Sequence, residues 1–188
     1  LAIYGGVIAG VITVYYYTKK KNIPFTLLLD MIAPHVLLAQ GIGRWGNFIN
    51  QEAHGAEVSL AYLQKLHIPQ WIIEQMYIGG AYYQPTFLYE SLWNIIGFII
   101  LYVLRSKDEL LLRGEAFYGY LIWYGFGRFF IEGMRTDSLY IGSFRVSQLV
   151  SLALVVYGLY ALISNRYFKL IRPPYYSEGL APESKLNK

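Results

Sequence analysis

The residues Val146–Ser164 have the sequence VSQLVSLALVVYGLYALIS, in which no side chain is charged. An apolar run of about 20 residues is long enough to cross the hydrocarbon core of a bilayer as a helix. This run is the most uniformly apolar one in the chain, and it predicts a membrane-spanning helix.

Four further stretches are also long enough to cross a bilayer: Leu1–Tyr17, Pro24–Gly43, Pro85–Leu104 and Glu115–Met134. The composition agrees, because 55% of the residues are hydrophobic and only 15% are charged, whereas a soluble domain has about 25% charged residues. A disordered chain, a coiled coil and a basic nucleic-acid-binding domain are excluded. The sequence predicts an all-α polytopic membrane protein with five transmembrane helices in this chain.

Basic residues are concentrated in alternate connecting segments, namely Thr18–Ile23, Arg105–Gly114 and the tail from Asn165. By the positive-inside rule these segments lie in the cytoplasm. Phe48–Gln84 and Thr136–Arg145 then lie outside. We expect a transmembrane domain over residues 1–164, with a small extracytoplasmic cap at about 51–83 and a flexible cytoplasmic tail at 165–188.

A polar run follows the second predicted span: Gly41–Gly55 has the sequence GIGRWGNFINQEAHG. Arg44, Asn47 and Asn50 occur at steps of three, so on a helical turn they share one face. The guanidinium of Arg44 is suited to phosphate, and Glu52 is placed to orient it or to accept a proton. The alternative is a helix end capped by Asn and Gly beside an interfacial Arg.

A second polar run lies in the fourth predicted span, where Tyr124–Arg135 has the sequence YGFGRFFIEGMR. Tyr124, Arg128 and Glu132 recur every four residues and therefore lie along one helix face. A charge inside a membrane is costly and often functional, so Arg128 is a second candidate for phosphate binding. The structural alternative is a buried ion pair that joins two helices. Glu90 is as readily a structural acceptor for an Arg as a catalytic group.

Two arginines near one membrane face indicate an anionic, lipidic substrate. The chain has no Cys, so it has no thiolate nucleophile and no Cys-based metal site, and any sulfur chemistry must use a thiol brought by a substrate. Its three His residues lack the spacing of metal ligands, and no metal or cofactor is predicted. A transporter or channel for an anionic solute and a non-catalytic scaffold are the competing functions.

The run Gly43–Gly55 resembles the signature of the bacterial prolipoprotein diacylglyceryl transferase family. Ala2–Gly6, Gln84–Glu90 and Tyr124–Arg135 resemble further segments of that family in order and spacing, so the resemblance extends to about Ser164. The family has about seven spans, which implies that this chain lacks an N-terminal part, in keeping with its start on Leu1 within an apolar run.

The resemblance implies an enzyme of the bacterial cell membrane whose active site faces outward. It would transfer the diacylglyceryl group of phosphatidylglycerol to the lipobox cysteine of preprolipoproteins, with no nucleic acid as a partner. It also implies roles for nine residues. Arg128, Glu132, Tyr4 and Glu52 would be catalytic, and Arg44, Asn47, Asn50, Gly55 and Tyr124 would bind substrate.

The base that accepts the thiol proton stays open. Tyr4 stands where some family members have His, and a phenol is a poorer base than an imidazole at neutral pH. Glu52, Glu132, His54 and the Tyr4 phenolate are the candidates.

The resemblance also implies that Gly55 would allow a turn.

Overall fold

A computed structural model of the chain describes residues 2–136, 140–141, 144–168 and 173–179, although it leaves the side chains of residues 2–4 and 140–141 undescribed. The prediction of an all-α architecture is confirmed, because long helices dominate these residues. They are α1 (Ala2–Lys21), α2 (Phe25–Ile49), α5 (Thr86–Arg105), α6 (Glu115–Met134) and α7 (Val146–Ile163).

Within the described residues, three helical segments are long and apolar enough to cross a membrane: Phe25–Ile49, Thr86–Arg105 and Val146–Phe168. They match three of the five predicted spans. Helices α1 and α6 are long enough, but their Gly and Tyr residues lower the mean hydropathy. Helix α6 also contains Glu115, Arg128 and Glu132. The five-span topology therefore stays a prediction.

Close packing joins α6 to α5 on one side and to α7 on the other. A Cβ atom built on Gly125 would lie 2.7 Å from the carbonyl oxygen of Ser151 in α7, so only glycine permits this approach. On the other side, Trp93 of α5 and Trp123 of α6 stack at 4.3 Å, and each indole N–H donates to the other's backbone carbonyl. The position of α6 is thus fixed from both sides.

Helix α2 continues through Pro34, which has no N–H to donate to the carbonyl of Asp30. Arg105, at the end of α5, donates instead to that carbonyl at 3.3 Å and to the carbonyl of Met31 at 3.0 Å. The Asp30 carboxylate accepts from the backbone N–H groups of Gly114 and Phe117 at 2.5 and 2.9 Å, which caps the N-terminus of α6. Both contacts tie together the ends of α2, α5 and α6 that lie away from the connection over 50–85; we call these the inner ends of the helices and the opposite ones the outer ends.

A small cap connects α2 to α5. It contains α3 (Leu60–Lys65), α4 (Gln70–Gln75) and a three-stranded antiparallel sheet in the order β1–β3–β2. The strands are β1 (Glu57–Val58), β2 (Tyr77–Ile78) and β3 (Ala81–Tyr83). The cap core consists of Phe48, Leu63, Ile72, Ile73, Met76 and Phe87, so the cap is continuous with the outer ends of α2 and α5.

The described residues also include a second, two-stranded sheet, β4 (Tyr140–Ile141) paired with β5 (Phe144–Arg145), before α7. After α7, a π-helical turn covers Ser164–Phe168. Residues 173–179 belong to the segment predicted to be flexible, yet they contact the α5–α6 connection. The Arg113 N–H donates to the Pro174 carbonyl and the Tyr176 N–H to the Leu111 carbonyl. Backbone pairing, which composition does not reveal, orders this part of the tail.

Candidate active site

Four charged side chains from three helices form an ion network near the cap. The Arg44 Nη2 atom lies 3.0 Å from Glu90 Oε1, and Arg128 Nη1 lies 3.2 Å from Glu90 Oε2. On its other side, Arg128 Nη2 lies 2.5 Å from Glu132 Oε2. Positive and negative groups alternate along the network, which lowers the cost of placing each of them away from water.

The two signs of charge differ in exposure. The Glu90 and Glu132 side chains are only 5% and 3% exposed, whereas those of Arg44 and Arg128 are 22% and 14% exposed. Each guanidinium nitrogen of the Nη type carries two N–H donors, so the contacts described leave donors on both arginines. The network therefore has buried carboxylates as supports and partly accessible guanidiniums that are suited to an anion.

Glu90 is the residue that joins the two predicted constellations. The sequence placed it among the weaker candidates, because one acidic group near a span end is commonly structural. The signal that could have raised its rank is that two candidate arginines lie on two spans and Glu90 is the acidic residue within a third, and charges within a membrane tend to pair with one another. Ser91, the next residue, accepts from Trp45 Nε1 at 3.2 Å, which fixes α5 against α2 beside the Arg44–Glu90 pair.

The polar run after Arg44 forms a chain of hydrogen bonds that leads to the surface. Arg44 Nη1 donates to Asn47 Oδ1 at 3.4 Å, and Asn47 Nδ2 donates to Glu52 Oε1 at 3.1 Å. Asn50 Nδ2 donates to the same Glu52 oxygen at 3.4 Å. Glu52 is exposed and acts on Arg44 through Asn47.

The turn that carries Glu52 has unusual backbone geometry. Gln51 and Ala53, on either side of it, have φ values of 53° and 58°, in the left-handed region that disfavours residues with a Cβ atom. Gln51 Nε2 donates to the Gln75 carbonyl in the cap at 2.8 Å. The cap thus holds the turn in a strained conformation that keeps Glu52 near Asn47 and Asn50.

Gly55 is buried where the cap meets α5 and α6. Its N–H donates to the Gln84 carbonyl at 3.1 Å, and it forms a backbone bridge with Arg135. A Cβ atom built here would lie 2.7 Å from Gln84 Cβ and 3.0 Å from Thr86 Cγ2. Glycine is therefore needed here because Gln84 and Thr86 pack closely against it. The resemblance had implied a different reason, namely that Gly55 allows a turn.

Tyr124, His54 and Tyr4 are the remaining residues that the sequence singled out. Tyr124 lies one helical turn from Arg128 and stacks on Tyr120 at 5.8 Å. The His54 ring packs 4.1 Å from that of Tyr83, and its Nδ1 lies 3.1 Å from the Gly55 carbonyl oxygen. This contact favours the tautomer with the proton on Nδ1, which leaves Nε2 as an acceptor. The side chain of Tyr4 lies outside the described residues.

Arg145, which the sequence placed in the outer connection, reaches the end of α6. Its Nη1 group donates to the backbone carbonyl of Glu132. A cation at a helix C-terminus is favourable because it interacts with the negative end of the helix dipole. The segment before α7 thereby supports the turn of α6 that carries Glu132.

Comparisons with known proteins identify the family of the chain. A family model described as prolipoprotein diacylglyceryl transferase matches residues 1–164. A phosphatidylglycerol–prolipoprotein diacylglyceryl transferase of Listeria monocytogenes is 58% identical over 178 residues, which cover 95% of this chain and 63% of that relative. Proteins of the same name from Ligilactobacillus salivarius and Pediococcus pentosaceus are 59% and 55% identical, covering 89% and 95% of this chain and 62% and 64% of their own lengths.

The chain thus spans slightly less than two thirds of the length of these curated relatives. The matched residues include the whole ion network and both polar runs. The chain belongs to the prolipoprotein diacylglyceryl transferase family.

Proposed function

We propose that the protein transfers the diacylglyceryl group from phosphatidylglycerol to the thiol of a lipobox cysteine in a preprolipoprotein, the first step of lipoprotein maturation. The main support for this proposal is the ion network of Arg44, Glu90, Arg128 and Glu132. It presents two partly accessible guanidiniums on buried carboxylates near the cap, and the names of the relatives specify an anionic phospholipid as donor.

In this reaction the substrate sulfur forms a bond to the terminal glycerol carbon of the diacylglyceryl group. The bond between that carbon and the phosphate oxygen breaks, and glycerol phosphate leaves with the electron pair. The thiol proton passes to a base. A thioether results, and the protein needs to supply a base and positive charge at the departing phosphate.

The geometry suggests a division of roles. Arg44 would hold the phosphate of the lipid through its free N–H groups, while Asn47, Asn50 and Glu52 maintain its direction. Arg128, tied on both sides by Glu90 and Glu132, would stabilise the negative charge that develops on the leaving oxygen. Tyr124 would line the cavity one turn away, and Gly55 would keep the cap closely packed against α5.

Four groups are candidates for the base: Glu52, Glu132, His54 and Tyr4. The Glu132 carboxylate lies 2.5 Å from Arg128 Nη2, so one of its oxygens is already engaged in an ion pair. Glu52 is exposed and His54 is partly exposed, whereas Glu132 is buried. The pH–rate profiles of the Glu52→Gln and His54→Gln variants separate these two. Loss of the base should change the pH dependence of the thiol reaction, whereas loss of a contact that orients Arg44 should lower the rate at every pH alike.

We also propose a location for the active site and the C-terminus. The active site would face the extracytoplasmic side of the bacterial cell membrane, with the C-terminus in the cytoplasm. This orientation rests on the basic connecting segments and on the cap, which adjoins the ion network at the end of the helices opposite the Asp30 contacts.

The test is a transfer assay with full-length protein in phosphatidylglycerol liposomes and a synthetic lipobox peptide. The expected product is heavier than the peptide by one diacylglyceryl group. Lys65→Ala serves as the control, since Lys65 is an exposed basic residue of the cap outside the network. No mass increase with folded full-length protein would refute the proposed function. Flux of phosphate or sulfate into the same liposomes would favour a transporter.

A further inference from the structure

An aromatic groove runs along the seam between α5 and α6, at the depth of the ion network. It has a volume of about 380 Å³ and is lined by Tyr89, Trp93, Phe126, Gly127, Phe130 and Ile131. Tyr89 and Gly127 are the chain neighbours of Glu90 and Arg128, the pair that joins α5 to α6 at this point. The groove therefore begins beside the proposed phosphate site.

The walls of the groove are fixed. The Trp93 indole donates to the Trp123 carbonyl at 2.9 Å and stacks on Phe126 at 5.8 Å. Phe126 in turn packs 4.9 Å from Phe130. Because the aromatic rings of the lining contact one another, these contacts define the shape of the groove.

The groove is polar at one end only. Near the cap, the Tyr89 hydroxyl lies 3.1 Å from that of Tyr62 in α3. Further from the cap the lining consists of the rings of Trp93 and Phe126. Tyrosine hydroxyls near the membrane surface with aromatic rings beneath them match a glycerophospholipid, whose polar groups lie outward and whose acyl chains lie inward.

A packed helix is a poorer occupant than an acyl chain. Helices that associate in membranes approach through small residues. The only small residue in this groove, Gly127, is already covered, since a Cβ atom built on it would overlap Trp93 Nε1. Phe126 and Phe130, which are 49% and 56% exposed, present bulky ridges with a narrow space between them.

We infer that the groove binds one acyl chain of the diacylglyceryl donor and sets the acyl-chain preference of the enzyme. This inference rests on the proposed function. A lipid already in a bilayer gains little by moving one apolar surface to another. Selectivity therefore comes from shape, with each well-placed atom pair contributing about 0.1–0.2 kcal/mol.

The experiment is a competition within one reaction. Full-length protein receives equal amounts of two phosphatidylglycerols, one with straight saturated chains and one with methyl-branched chains, together with a lipobox peptide. The masses of the two products give their ratio directly, independently of total activity. We expect Phe130→Ala to widen the groove and raise the share of branched product about threefold, the effect of losing several such atom contacts.

Phe129→Ala is the matched control, because Phe129 is the adjacent aromatic residue and does not line the groove. It should give the wild-type ratio. If Phe130→Ala does not fold, Phe126→Leu provides the same test. A wild-type ratio in the Phe130 or Phe126 variant overturns the inference, as does an equal shift in the Phe129 variant. Failure of the wild-type protein to modify the peptide would instead refute the proposed function.

Discussion

Buried carboxylates lie at both ends of α6, and the partners of the two sets differ. At the inner end, the Asp30 carboxylate caps backbone N–H groups, and Arg105 donates to backbone carbonyls. Glu115 and Arg166 pair with each other at 2.6 Å and also bond backbone groups, those of Leu112 and Leu110. We call these four side chains the inner cluster.

The ion network at the outer end is built mainly from side chains that contact other side chains. Glu90 bridges Arg44 and Arg128, and Arg44 also donates to Asn47. These contacts do not satisfy backbone groups at a helix end. The charges of the inner cluster are accounted for by hydrogen bonds to backbone groups. The charges of the outer network have no such structural explanation in the contacts described. The difference supports our proposal that the outer network is the reaction site, with the inner cluster stabilising the fold.

The largest expected effect comes from Arg128→Ala. Loss of the positive charge at the leaving oxygen should lower the rate of diacylglyceryl transfer about 1,000-fold, as for other groups that stabilise a developing oxyanion. Peptide mass measurements over time give the rate, and a melting curve in detergent shows whether the protein remains folded. Arg166→Ala, in the inner cluster, is the counterpart and should retain transfer activity per folded molecule. Equal loss in both variants would contradict the division between the two regions.

A smaller loss is expected for Glu90→Gln. The amide keeps the size of the side chain but removes the negative charge shared by Arg44 and Arg128, so both guanidiniums lose a charged anchor. We expect transfer to fall about 10- to 100-fold, because removal of one charge-assisted contact costs roughly 1.5–3 kcal/mol. Initial rates at several lipid concentrations measure the change. Wild-type kinetics in this variant would show that Glu90 does not position the arginines.

Asp30→Ala should act on stability. It leaves the N–H groups of Gly114 and Phe117 without their acceptor, which costs about 1–3 kcal/mol in unfolding free energy. The melting temperature in detergent should fall, while transfer per folded molecule stays within about twofold of the wild type, since stabilising contacts distant from the reacting atoms leave its barrier unchanged. A large loss of activity in molecules that remain folded would mean that the inner cluster takes part in catalysis.

The smallest effect is expected for Ala53→Gly. Ala53 has a φ of 58°, and glycine adopts this conformation without strain. We expect a gain of about 0.5 kcal/mol in unfolding free energy, since relief of strain exceeds the added chain entropy only slightly. Ala56→Gly, three residues later and not in the left-handed region, should lose stability. Thermal melts of the two variants side by side provide the check.

The sequence was sufficient for the helices and for the residues of the two polar runs, because apolar length and intramembrane charge are local signals. It did not predict the short strands of the cap, since two or three residues carry no periodicity. It also did not predict the central place of Glu90, which depends on how α5 faces α2 and α6. The groove beside Gly127 likewise depends on the reciprocal Trp93–Trp123 contact, which brings distant residues together.

The most direct test of the outer network is lipid retention by the full-length protein, measured by native mass spectrometry with equal phosphatidylglycerol and phosphatidylethanolamine. We expect the wild type and Arg166→Ala to retain phosphatidylglycerol preferentially, and Arg44→Ala and Arg128→Ala to lose this preference. Undiminished preference in both of the latter variants would contradict the assignment of the Arg44–Glu90–Arg128 network as the phosphate site.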